Sequence, residues 1–141
     1  MRGILASPVL VLALCFAPCA ALAQERMEPG LWETQTASDG GNGPGQWIVA
    51  TRCIDATMAG TARGSADDIR KAILAEGLDC KIQDVTAEAE RVTFRQTCGA
   101  LEQTAEFFYR GTTMEGRVTM SNAGNPPMTL VQRGKRIGPC P

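Results

Sequence analysis

The stretch CKIQDVTAEAERVTFRQTC, which runs from Cys80 to Cys98, decides the fold. Its two ends, up to Thr86 and from Val92 onward, are rich in β-forming residues and flank a short polar turn. If the ends pair as a hairpin about Ala89, the two cysteines face each other. Facing Cα atoms in an antiparallel pair lie about 4.5 to 5.5 Å apart, within the range of a disulfide. The stretch therefore predicts a hairpin closed by a bond between its cysteines.

Two further cysteines, Cys53 and Cys140, are left to form a second bridge, which would tie the C-terminal tail to the end of an early strand. Four cysteines allow three pairings, and the hairpin geometry favours this one. Zinc is the alternative interpretation. Structural zinc sites draw on close pairs such as C-x-x-C, whereas these cysteines are widely spaced and the chain contains no histidine. We therefore expect two disulfides and no metal site.

The N-terminus has the pattern of a signal peptide. Arg2 supplies a positive charge, an apolar run extends from Val9 to Phe16, and small residues after Pro18 end in an A-x-A pattern at Ala23. A transmembrane anchor is the alternative, but it needs about 18 to 25 uninterrupted apolar residues, and prolines interrupt this run. We expect cleavage after residue 23, which leaves a single disulfide-bonded domain at 24–141 in the periplasm or secreted.

The charges are nearly balanced, which argues against nucleic acid or anionic membrane as a partner. The chain has 14 basic and 15 acidic residues, so loss of Arg2 with the signal peptide leaves a net charge of −2. Arg133, Lys135 and Arg136 form the one basic cluster. Such a cluster near a chain end is typical of a solvated strand edge.

Alternating polarity predicts strands at 31–36, 46–53, 80–86, 92–98, 104–110, 116–121 and 127–133, with a Gly-rich loop at 38–45 and a turn at 111–115. One helix is indicated by a capping box at Ser65 and Asp68, followed by the apolar stripe Ile69, Ile73 and Leu74. The fold class is therefore α+β and mainly β. We expect a twisted antiparallel meander sheet of about seven strands with one packed helix and two disulfides.

The hairpin at 80–98 has one irregularity. In the simple register Asp84 faces Phe94, which would place a carboxylate opposite an aromatic ring. A bulge near Asp84 would let Val85 point inward instead.

Four motifs together resemble a known family. They are PGLWE at 29–33, YRG at 109–111, GRVTM at 116–120 and GKRIGPC at 134–140, which occur here with the four cysteines. The chain is similar over nearly its whole mature length to the family catalogued as domain of unknown function 3617. The resemblance implies an exported bacterial protein, periplasmic, with no established activity. The loop at 38–45 departs from the family, because relatives tend to have Met and Pro where this chain has Gly.

The residue inventory excludes several chemistries. Without histidine there is no Ser-His or Cys-His nucleophile pair, and the mature cysteines are expected to be oxidised. No phosphate-binding loop is present, and we expect no cofactor. Carboxylates remain as candidates for general acid and base catalysis, although one sequence does not show that any two lie close together. The candidates are Glu28, Glu33, Glu102, Glu106 and Glu115. No catalytic residue is nominated.

Aromatic residues are the other candidates for function. Adjacent residues on a strand face opposite sides, so the sheet carries apolar side chains on both faces. One face must form the core, and the other is either covered by the helix or forms a groove for an apolar ligand or a partner chain. The candidate residues for such a surface are Trp32, Trp47, Phe107, Phe108 and Tyr109. The leading hypothesis is a non-enzymatic binding or interaction module for an apolar small molecule or an envelope protein. The alternatives are a carboxylate-dependent envelope hydrolase and a structural or stress-related envelope protein.

Overall fold

A computed structural model describes residues 26–75, 77 and 79–141, so the expected signal peptide lies outside the described residues. A short 3-10 helix spans Met58–Ala62 and the helix α1 spans Ala66–Ala75. The described chain otherwise consists of strands and their connections. The strands are β1 (Gly30–Asp39), β2 (Ile48–Ile54), β3 (Lys81–Ala87), β4 (Arg91–Cys98), β5 (Leu101–Tyr109), β6 (Thr113–Asn122) and β7 (Met128–Gly138).

The seven strands form one antiparallel sheet in the order β2-β1-β7-β6-β5-β4-β3, so the expected α+β fold is confirmed. Strands β3 to β7 form a continuous meander, and β1 then adds beside β7. Strands β2 and β3 therefore lie at opposite edges. The connection between them carries both helices across one face of the sheet, which we call the helix-covered face.

The core lies between this face and the helices. Ile69 and Ile73 of α1 are buried in one cluster with Trp32, Val92 and Tyr109 of the sheet. The capping box is confirmed, since the Ser65 hydroxyl accepts a bond from the Asp68 N–H and the Asp68 carboxylate accepts one from the Ser65 N–H. Leu74 does not belong to the buried stripe, as it is 47% exposed. It follows Ile73 directly and so points about 100° away from it around the helix.

The expected bulge is also confirmed. Gln83 pairs with Arg95 and Thr86 with Thr93, so two residues of β3 oppose one residue of β4. Asp84 adopts a positive φ of 51°, which is uncommon for a residue other than glycine. The extra residue turns Val85 toward the core cluster, where it packs.

Both disulfides are present with the pairing that the hairpin geometry favours. Cys80 and Cys98 have their Cα atoms 4.3 Å apart, and those of Cys53 and Cys140 are 5.3 Å apart. The second bond links β2 to the residues that follow β7. Because strand β1 lies between β2 and β7, this bond fastens three adjacent strands at one end of the sheet.

The basic cluster does not form a strand edge, so that interpretation was wrong. Strand β7 continues through Lys135 to Gly138 and lies between β1 and β6. Gly134 resembles a break in the sequence, but it lies within β7, where neighbouring side chains pack closely against its backbone. A Cβ there would lie 3.0 Å from the Met114 side chain and 3.4 Å from the ring of Trp32.

The expected turn at 111–115 is shorter than the pattern indicates, because β6 already begins at Thr113. Met114 pairs with Tyr109 across β5 and β6 and is buried in the core. Burial of the Met114 side chain favours a strand at 113–115, although the local sequence resembles a turn.

Candidate functional site

A cleft of about 390 Å³ lies between the sheet and the helical layer. Small-molecule sites in proteins usually have volumes of about 300 to 1,000 Å³, so the cleft suits a small ligand. Five strands and both helices contribute to its wall. The lining residues are Met27, Arg52, Ile54, Met58, Thr61, Ile73, Phe94, Gln96, Gln103, Phe107, Tyr109, Met114 and Gln132.

The register of β4 and β5 positions the aromatic part of this wall. Val92 faces Phe107 and Phe94 faces Ala105, so these four side chains share the helix-covered face. The small side chain of Ala105 leaves space beside Phe94. Phe107 lies over Gly116 on the next strand, where a Cβ would overlap its ring.

Tyr109 closes the aromatic wall beside Phe107, with ring centroids 5.9 Å apart. Burial raises the pKa of the Tyr109 phenol far above its usual value, an effect that the nearby Arg26 charge partly opposes. The phenol is therefore neutral at physiological pH. Its hydroxyl makes no hydrogen bond to the described part of the chain, so it is available as a donor.

Two glutamines interrupt the apolar wall. Gln96 is only 7% exposed, and its amide nitrogen donates a hydrogen bond to the amide oxygen of Gln103 directly across the strand pair. The Gln96 amide oxygen is buried with no partner among the described residues. If the oxygen and nitrogen of the Gln96 amide were exchanged, one of the two atoms would still be unpaired, because Gln103 is its one described side-chain partner. A buried unpaired polar group costs about 1 to 3 kcal/mol.

Arg52 supplies the one charge in the lining. It lies opposite Trp32 in the pairing of β2 with β1, which places it on the helix-covered face. No carboxylate from residues 26–75, 77 or 79–141 is among the lining residues. The cleft therefore combines apolar walls, amides and a single positive charge.

Residue Arg26 holds the segment before β1 against the helical layer. Its guanidinium donates hydrogen bonds to the carbonyl oxygens of Ala62, at 2.9 Å, and of Gly64. A third bond of 2.9 Å goes to the Glu88 carbonyl at the turn between β3 and β4. These bonds fix the neighbouring Met27, which is buried and forms part of the cleft wall.

The five aromatic candidates do not form one surface. Phe107 and Tyr109 line the cleft, but Trp32 is fully buried and outside the lining, with its indole N–H donated to the Glu28 carbonyl at 3.0 Å. Trp47 and Phe108 lie on the opposite face of the sheet, which we call the open face, together with arginine side chains.

The open face carries paired charges. Arg91 contacts Glu106 at 2.7 Å, and Lys135 contacts Glu33 at 3.3 Å. Of the carboxylate candidates, Glu33 and Glu115 line one depression of about 250 Å³ on this face. Ion pairs exposed on a sheet contribute little to stability, about 0 to 1 kcal/mol each.

Glu106 and Glu115 line a neighbouring depression of about 300 Å³ on the same face. The other two carboxylate candidates line neither depression. Glu102 approaches Arg95 at 3.9 Å, and Glu28 lies beside Gly111. Within the described residues no group of three or more metal-ligating side chains comes together.

Arg52, Gln96, Gln103 and Gln132 are site residues that the sequence reasoning misses. A signal for one of them, Gln96, is present in the strand pattern. Gln96 continues the alternation of Val92 and Phe94, so a polar residue occupies a position that the pattern assigns to the core.

The fold and the cleft define a class of small disulfide-bonded α+β domain with a ligand-sized cleft between a sheet and a helical layer. Its two disulfides indicate an oxidising environment outside the cytoplasm. No helix in the described part is long and apolar enough to span a membrane.

The chain belongs to the DUF3617 family, whose model, described as a protein of unknown function, matches residues 27–140. This match confirms the resemblance carried by the four sequence motifs. Neither the curated proteins nor the solved structures include a match to the chain.

Proposed function

We propose that this protein is a non-enzymatic periplasmic binding module that holds a small, mainly apolar molecule in the cleft between sheet and helices. The observation that carries the proposal is the buried amide of Gln96, which has an unpaired polar atom in a wall that combines apolar side chains with polar ones. A ligand hydroxyl or carbonyl would pair this atom and remove its cost of about 1 to 3 kcal/mol.

The apolar part of the wall supplies the main affinity. Phe94, Phe107, Ile73 and Met114 surround the space and would remove ligand carbon from water, at about 25 cal/mol for each Å² buried. The amides fix orientation, as the few polar groups of a mainly apolar site usually do.

The lining groups favour binding over catalysis. Amides, a neutral phenol and a guanidinium bind and orient a molecule, whereas covalent catalysis requires a nucleophile beside a general base. Thr61 carries the one Ser or Thr hydroxyl in the described lining. No carboxylate lines the cleft to act as its general base. The cleft is also a concave space between two layers that opens to solvent, a shape that suits a small molecule.

Fluorescence titration with N-phenyl-1-naphthylamine, a neutral apolar dye, tests this proposal on the exported protein with both disulfides. Met58 lines the cleft from the 3-10 helix and is 43% exposed, so Met58→Trp should fill the cleft and fold normally. We expect the variant to lose dye affinity by about tenfold or more, the equivalent of at least 1.4 kcal/mol.

Leu74→Trp is the matched control, because Leu74 is comparably exposed on α1 but is not part of the cleft. It should bind the dye like the unsubstituted protein. Absence of dye binding by the unsubstituted protein, or equal binding by both variants, would contradict the proposal.

A further inference from the structure

Arg52 differs from every other arginine in the described part of the chain, because it makes no hydrogen bond, ion pair or ring contact there. Most of the others are held by carboxylates, by carbonyl or amide oxygens, or by aromatic rings. Arg91 pairs with Glu106, Arg95 with Asp84, and Arg117 with Asp39, for example. The unpaired cation is also the one that lines the cleft.

The surroundings of Arg52 leave its charge uncompensated. Its side chain lies on the helix-covered face, while the charge pairs of Glu33 and Glu106 lie on the open face. Because no described carboxylate lines the cleft, none there competes with a ligand anion for Arg52 or repels that anion. The guanidinium presents a planar set of donors that suits a carboxylate or a phosphate.

We infer that the cleft selects an anionic amphiphile, with its acidic head group on Arg52 and its apolar chain against the aromatic wall. This inference rests on the proposed function and names the class of ligand for the same cleft. The amides of Gln103 and Gln132, which share the lining with Arg52, add donors for the head group. The volume of about 390 Å³ favours a single short apolar chain over a two-chain lipid.

Calorimetric titrations with ligands of one chain length test the inference. Dodecanoate and dodecyl phosphate are the anionic probes, dodecanol is neutral, and dodecyltrimethylammonium is cationic, all below their micelle concentrations. Since Arg52 is exposed, we expect the anions to bind about five- to tenfold more tightly than dodecanol. Comparison of the two anions distinguishes a carboxylate from a phosphate head group.

Arg52→Gln should remove this preference, so that the anions bind the variant no more tightly than dodecanol does. Arg70→Gln is the charge-matched control, because Arg70 pairs with Asp67 on α1 and does not line the cleft. It should keep the preference. The preference of the unsubstituted protein should also fall as salt rises, since the charge is in contact with water.

The outcomes separate this inference from the proposed function. Equal binding of dodecanoate and dodecanol, or a preference that survives in Arg52→Gln, would overturn the anionic ligand class and leave apolar binding intact. If none of the four probes binds, the proposed function fails together with the inference. Thermal unfolding of Arg52→Gln should match that of the unsubstituted protein, because Arg52 has no described partner to lose.

Discussion

Gln96 and Gln103 face each other on β4 and β5, joined by one amide hydrogen bond inside an otherwise apolar part of the sheet. The pair leaves the Gln96 amide oxygen buried and without a partner in the described part of the chain. Burial of an unpaired polar group lowers stability, and a ligand group that pairs this atom would offset that cost.

Replacement of the buried amide by an apolar group of similar shape should therefore stabilise the protein. We expect Gln96→Met to raise the free energy of unfolding by about 1 kcal/mol and to weaken dodecanol binding. Gln103 is half-buried, so water can satisfy its amide once the partner is gone. Urea unfolding measures the change, and a clear loss of stability would show that the amide serves the fold.

The two disulfides should contribute unequally. The bond of Cys53 with Cys140 spans 87 positions, whereas that of Cys80 with Cys98 spans 18. Loop-closure entropy then gives about 4.5 kcal/mol for the longer loop and about 3 kcal/mol for the shorter one. Urea unfolding of the two double Cys→Ala variants should show this order, and the reverse order would contradict it.

Glycine at position 116 should be required by packing. Gly116→Ala would place a methyl group against the ring of Phe107, and we expect a loss of about 1 to 3 kcal/mol in unfolding free energy. Gly138→Ala is the control, because no atom lies within 4 Å of the added Cβ. Equal stability of the two variants in thermal unfolding would show that Phe107 moves freely.

The capping box should make stability depend on pH. Hydrogen bonds from the hydroxyl and the backbone N–H of Ser65 hold the pKa of the Asp68 carboxyl below its usual value. A lowered folded pKa stabilises the protein above the unfolded pKa of about 4 and loses this effect as pH falls through the folded pKa. The melting temperature of Asp68→Asn should thus lie below that of the unsubstituted protein at pH 7, and the difference should shrink as pH falls through the lowered folded pKa of Asp68. A difference in melting temperature that does not change with pH would contradict a stabilising role for the ionised Asp68 carboxylate.

Local patterns predict most of the fold. Alternating polarity identifies the strands, and the hairpin register places Cys80 opposite Cys98 because facing residues in a hairpin are fixed by its turn. The bulge at Asp84 follows from the same register. Strand β7 is longer than predicted, because a glycine at position 134 looks like the end of a strand. Its small size instead suits the close packing of Trp32 and Met114 from neighbouring strands, which the sequence of one strand does not reveal.

The candidate site is less predictable, since it depends on which face the helices cover. Alternation separates Phe107 from Phe108 but does not say which of them faces the core. The same ambiguity hides Arg52, whose polar side chain would be assigned to the solvated face without knowledge of the helical layer.

Side-chain amide resonances in ¹H–¹⁵N spectra test ligand binding in the cleft most directly. During titration with dodecanol, the resonances of Gln96, Gln103 and Gln132 should shift, while those of Gln35 and Gln83, which lie outside the cleft, should not. Shifts confined to Gln35, which lines the depression on the open face, or no shifts at all, would contradict the account.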